Sequence, residues 1–129
     1  MKIIRVNKEL YKNYLKKAQE NFESMNDNID NNRWNGAVVN AVHCVINSAD
    51  ALTIFFKGER HAGEKHEDVV KLLKTINIMD NKKIQQLLNV LHLKNKVEYE
   101  EVLVSETNAK DTQKSVERFL NWIKEILKE

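Results

Sequence analysis

The sequence predicts an all-α protein, a five-helix, mostly up-and-down antiparallel bundle, and three observations carry that reading. The 129 residues include no proline and only three glycines, a composition suited to long unbroken helices and poorly suited to the many tight turns of a β-sandwich. Apolar positions recur at three- and four-residue steps in successive stretches of the chain, which is the period of a helix face. Residues 33–56, RWNGAVVNAVHCVINSADALTIFF, are apolar over more than half of such a helix, so this rod needs neighbours on several sides. A chain of this length suits one domain, 1–129, built on one core.

The first helix is expected from about Asn7 to Ile29, where Tyr11, Tyr14, Leu15, Ala18, Phe22, Met25 and Ile29 form one apolar face against a lysine-rich back. Residues 26–32 are rich in Asn and Asp, which favour turns by bonding their own backbone. The connection is short, so the next helix runs back beside the first. In that central helix Trp34, Val38, Ala41, Val45, Ser48, Ala49, Leu52 and Phe56 form one face, with Ala37, Val42, Cys44, Ile46, Ala51 and Phe55 widening it. Its short side chains let neighbouring backbones approach closely. The polar segment KGERHAGEKHED follows as a loop, and Val69, Val70, Leu72, Leu73 and Ile76 mark a shorter helix ending near Asn77. Asp80 or Asn81 caps the fourth helix, whose inward positions read Ile84, Leu87, Leu88, Leu91, Asn95 and Tyr99. After the apolar triplet Val102, Leu103 and Val104, Ser105 or Thr107 caps a last helix with the stripe Ala109, Thr112, Val116, Phe119, Leu120, Ile123 and Leu127.

Composition narrows the function. Charged residues make up 31% of the chain, yet the net charge is only +2, too near neutral to announce a nucleic-acid binder. The lone cysteine, Cys44, lies on the apolar helix and suits a reducing compartment. The opening MKIIRVNKEL is too short an apolar run for a signal peptide, and no window is expected to span a membrane. A cytoplasmic protein is the expectation.

Arg60 and His66 stand with five residues between them, with Lys57, His61 and Lys65 nearby. A guanidinium grips phosphate and an imidazole moves protons near neutral pH, so these two are the candidate catalytic residues. The bland alternative is a solvated loop. Lys94, Asn95, Glu98 and Tyr99 share a flank of the fourth helix and form, with Asp50, a candidate binding group; surface pairing of Lys94 with Glu98 is its plain alternative. Asp50 sits amid an apolar run, and a buried carboxylate requires a partner, expected to be a cation or donor from the fourth helix, or Arg60. The histidines lack the spacing that puts two imidazoles on one helix face, so neither a metal nor another cofactor is expected.

Taken together, NGAVVNAVHCVINSADAL, GERHAGEKHEDVVKLL, LHLKNKVEY and SVERFLNWIKEIL, in this order, resemble the HEPN domain family, small prokaryotic helical bundles often encoded beside minimal nucleotidyltransferases. The resemblance spans almost the whole chain. It implies a five-helix bundle that pairs into a homodimer. It also implies one of two activities: metal-independent ribonuclease, where an arginine and a following histidine act on RNA, or a non-catalytic module partnering a nucleotidyltransferase in a toxin-antitoxin pair, with an RNA or nucleotide as a further ligand. Arg60 and His66 meet the arginine-to-histidine pattern literally. The segment nearest to the family's motif helix is LKNKVEY, in which Lys94 replaces the arginine and Tyr99 the histidine. Tyrosine, with a pKa of about 10, is a poor base at neutral pH, and lysine lacks the planar fork of arginine. In the module reading Tyr99 is a candidate modification target.

Overall fold

The computed structural model describes residues 1–63, 67–78 and 80–129, apart from the side chains of 98 and 99. Five α-helices stand among them: α1 (Tyr11–Asp30), α2 (Trp34–Lys57), α3 (Glu67–Leu73), α4 (Asn81–Tyr99) and α5 (Glu106–Leu127). Two short strands, β1 (Ile3–Arg5) and β2 (Glu59–His61), and a 3₁₀ turn, Lys8–Leu10, accompany them. The all-α bundle is as the composition and periodicity predict.

Helix α2 is the central rod. Helices α1, α3, α4 and α5 all pack on it. Ala37, Ala41, Cys44, Ala49 and Ala51 are 1% exposed or less, and their small volumes bring α1 and α2 close together. The packing also explains the asparagine-rich sequence here. Asn40 on α2 accepts from Asn28 Nδ2 at 2.8 Å and donates to Asn21 Oδ1 at 3.2 Å, so amide groups bridge the two helices. Arg33 closes the turn, its main-chain N–H donating to Asn28 O at 2.8 Å and its Nε to Asn28 Oδ1 at 2.7 Å.

By length and composition, Trp34–Lys57 reaches the apolarity of a membrane span, with a mean hydropathy of 1.4, which corrects the expectation that no window would. In the bundle 72% of that window is buried, as expected of a core helix wrapped by its companions. Its last turn is wetter than predicted. Phe55 and Phe56 are each 37% exposed, because they end the rod where few neighbours remain. Phe55 there meets Tyr11 edge-on at 5.0 Å and Phe56 at the same distance.

The expected loop after α2 contains a strand. Gly58 ends the helix with φ +64°, its N–H bonded to Ile54 O at 2.8 Å. A Cβ there would come within 3.1 Å of Val6 O, so both conformation and space call for glycine. The chain then lays β2 antiparallel to β1, with Ile3 opposite His61, Ile4 opposite Arg60 and Arg5 opposite Glu59. Val6 N–H to Gly58 O at 2.8 Å and Ala62 N–H to Lys2 O at 2.9 Å extend the ladder at both ends.

The helix limits differ modestly from expectation. Asn7 caps a 3₁₀ turn, Lys8–Leu10, and α1 proper begins at Tyr11. Helix α3 stops at Leu73 and not near Asn77, its end tightening through Thr75 N–H to Leu72 O and Ile76 N–H to Leu73 O. Asp80 caps α4, accepting from Lys83 N–H at 2.9 Å, and Ser105 caps α5, accepting from Asn108 N–H at 3.0 Å. All seven expected α5 positions are buried. Among the described side chains of α4 the buried ones are Ile84, Leu87, Val90 and Leu91; Asn95, expected to face inward, is exposed.

Candidate functional site

The most consequential polar arrangement lies where the ribbon meets the central helix. Helix α2 carries Asp50 inward at 5% exposure, and strand β2 brings His61 to it at 6%. Asp50 Oδ1 and His61 Nδ1 are 3.2 Å apart. With the carboxylate ionised, the shared proton resides on His61 Nδ1, which donates and so fixes the orientation of the ring. This answers the need for a partner to a carboxylate in an apolar helix. The partner corrects the sequence expectation: it is His61 on β2, and neither Arg60 nor a group from α4.

Arg60 is spoken for differently. Its Nη1 donates to the main-chain carbonyl of His61 at 3.1 Å, curling the guanidinium over its own strand. Its Nε is a buried nitrogen with no hydrogen-bond partner among the described residues. His66 lies outside the described residues, as do the side chains of Glu98 and Tyr99, so the structure gives no distance for the Arg60 and His66 pair.

Lys94 is half-buried. It lines a narrow crevice with Val38, Val39, Val42, His43 and Val97. Asp50 stands seven residues along α2 from His43, about 10 Å along the axis, and is not part of that crevice. Asn95 faces solvent. Among the described side chains, then, the expected grouping of Asp50 with the α4 flank does not form. The linker after α4 lies against the start of α2, where Asn35 Oδ1 accepts from Val104 N–H at 2.9 Å. That tie leaves Val102 60% and Leu103 80% exposed.

His61 is the residue that sequence reading missed. Its signal was indirect: a buried carboxylate demanded a partner, and a histidine lay eleven positions on. Cys44 offers no nucleophile. It is fully buried, and burial pushes its thiol up to about 12, against a smaller opposing effect of Ser48. Among the described residues no three His, Cys, Asp or Glu side chains converge to hold a metal ion.

In a comparison with known families, the family model described as the HEPN domain matches residues 11–126. A search of curated proteins finds no match.

Proposed function

The chain belongs to the HEPN domain family, and from that premise we propose that it is an interaction module: a homodimeric, cytoplasmic partner of a minimal nucleotidyltransferase in a toxin-antitoxin-type pair. The observation that carries this reading is the wet apolar linker. Leu103 at 80% and Val102 at 60% exposure are held in place by the Asn35 to Val104 bond, and Val39 adds a third exposed apolar side chain on α2. Ordered apolar side chains left in water mark a surface for another protein. The Lys94 and Tyr99 substitutions in the motif-like segment weigh in the same direction, since neither supplies an imidazole. Tyr99 becomes, in this reading, a residue for the partner to modify. The test is co-expression with a nucleotidyltransferase encoded next to the gene. Co-purification of the two, weakened by Leu103→Ser, is expected, and failure to recover any complex overturns the reading.

One observation favours a second reading, a metal-independent endoribonuclease using Arg60 and His66. Arg60 is only half-buried, on a strand next to the segment that carries His66, and a guanidinium that reaches solvent is a ready grip for a phosphate oxygen. In that case His66→Ala abolishes RNA cleavage by the purified protein. Equal cleavage by His66→Ala and the parent rules it out.

A further inference from the structure

Helix α1 presents one continuous exposed stripe whose charges are sorted by sign. Its first half carries Lys12, Lys16 and Lys17; its second half carries Glu20, Glu23, Asp27 and Asp30, and all seven are exposed. At 100° per residue they fall within a 140° sector of the helix, the side turned away from α2 and α5. None of the seven makes an ion pair among the described residues.

This sorting works against the helix that bears it. Lys12 stands in the first turn, at the positive end of the backbone dipole, and Asp27 and Asp30 in the last, at the negative end, the reverse of the favourable arrangement. Neighbours at helical spacing repel as well: Lys12 with Lys16, Glu20 with Glu23, Glu23 with Asp27 and Asp27 with Asp30. Opposite charges adjoin only at the boundary, around Lys17 and Glu20. A pattern unfavourable within the chain finds its compensation outside it. A nucleic-acid strand would satisfy the lysines and be repelled by the four carboxylates. A second copy set antiparallel satisfies the lysines and the carboxylates from Glu23 onward, and leaves the two Glu20 side chains as the one like-charge contact, at the axis, where both stay open to solvent.

We propose that the exposed face of α1 is a self-complementary docking surface, on which two copies of this chain pair their α1 helices antiparallel about a two-fold axis near Glu20. About such an axis Lys17 faces Glu23 of the second copy, and Lys12 faces its Asp27 and Asp30; the same contacts repeat by symmetry. The antiparallel setting also places the positive end of each helix dipole beside the negative end of the other. Open depressions of about 540 and 470 Å³ flank Lys16, the first lined by Tyr14 and Lys17 and the second by Gln19 and Lys124, giving incoming side chains room. The stripe from Lys12 to Asp30 is about 27 Å long and has no apolar centre, so the pairing is electrostatic and weakens with salt.

This inference rests on the homodimeric part of the proposed function and names its surface. The test is sedimentation equilibrium of the full chain at low and high salt, for the parent, for K12E/K16E/K17E and for E23K/D27K/D30K. The parent is expected to be dimeric at low salt and to dissociate at high salt. Each variant is expected to be monomeric at low salt, and an equimolar mixture of the two to recover the dimer. A cooperative thermal transition and parent-like helical circular dichroism, expected of both variants, separate lost pairing from lost folding. A salt-insensitive dimer retained by both variants overturns this surface and leaves the dimer standing. A parent that is monomeric at low salt overturns both. Unchanged mass in the variants, with loss of single-stranded RNA binding by the lysine variant, overturns the proposal in favour of a nucleic-acid face.

Discussion

Asp50 on α2 and His61 on β2 meet at 3.2 Å with both side chains under 8% exposed, joining a strand and a helix across eleven residues of sequence. The contact fastens the β1–β2 ribbon, whose six residues have little packing of their own, to the most buried part of the fold. Removing His61 leaves the buried Asp50 carboxylate without this donor, a loss of about 3 kcal/mol. His61→Ala is expected to lower the urea-unfolding free energy by roughly that amount, and Asp50→Ala with His61→Ala together by clearly less than the sum of the singles. Additive effects in the double-mutant cycle would show that the pair is not coupled.

Gly58 is a second fastening of the ribbon. Alanine there must hold φ +64° with its Cβ near Val6 O, at a cost of about 1–2 kcal/mol. Gly58→Ala is expected to lower the thermal midpoint and to speed hydrogen exchange at the Val6 amide, which bonds to Gly58 O. Exchange unchanged at Val6 would count against the coupling of the turn to the ribbon.

Asn40 holds α1 and α2 together through two side-chain bonds, to Asn28 and Asn21. Asn40→Ala leaves two half-buried amides seeking water, and a loss of about 1–3 kcal/mol is expected in chemical denaturation. Asn40→Asp can still accept from Asn28 but no longer donates to Asn21, so it should fall between the parent and alanine.

Cys44 gives stability a pH dependence on the alkaline side. The folded thiol is raised from an ordinary value of 9.0 to about 12, chiefly by burial. The native state therefore keeps a proton that the unfolded chain loses, and this contribution is complete below pH 9 and declines as pH rises toward 12. Within that window the parent should lose about 1 kcal/mol per pH unit relative to Cys44→Ala. Parallel stability curves for the two proteins through that range would refute the assignment. By the same burial, a thiol reagent should modify Cys44 only as fast as the bundle opens.

Much of the fold was legible because local rules and burial agree. On α5 a strict helical stripe, a serine cap and a soluble back all specify one orientation, and each predicted inward position is buried. On α4 the reading slipped in phase. Steps of four from Leu87 through Leu91 to Asn95 and Tyr99 drift around a helix of 3.6 residues per turn, whereas the packed face continues through Val90, Leu91, Lys94 and Val97. The ribbon was illegible for a different reason. Three residues near the start pair with three more than fifty positions later, with no hairpin turn to announce them, so only the tertiary fold brings them into register. His61 was hidden with it. A carboxylate's need for a partner is visible in sequence, but the identity of the partner depends on that register.

The rod α2 is synthesised well before α5, one of its principal walls. During translation its apolar flank waits in water for a companion some fifty residues downstream, and in that interval it carries the hydropathy of a segment bound for the lipid phase. Ribosome-bound chains halted ahead of residue 106 should accordingly recruit chaperones, or be diverted toward insertion, far more than chains allowed to reach Leu127.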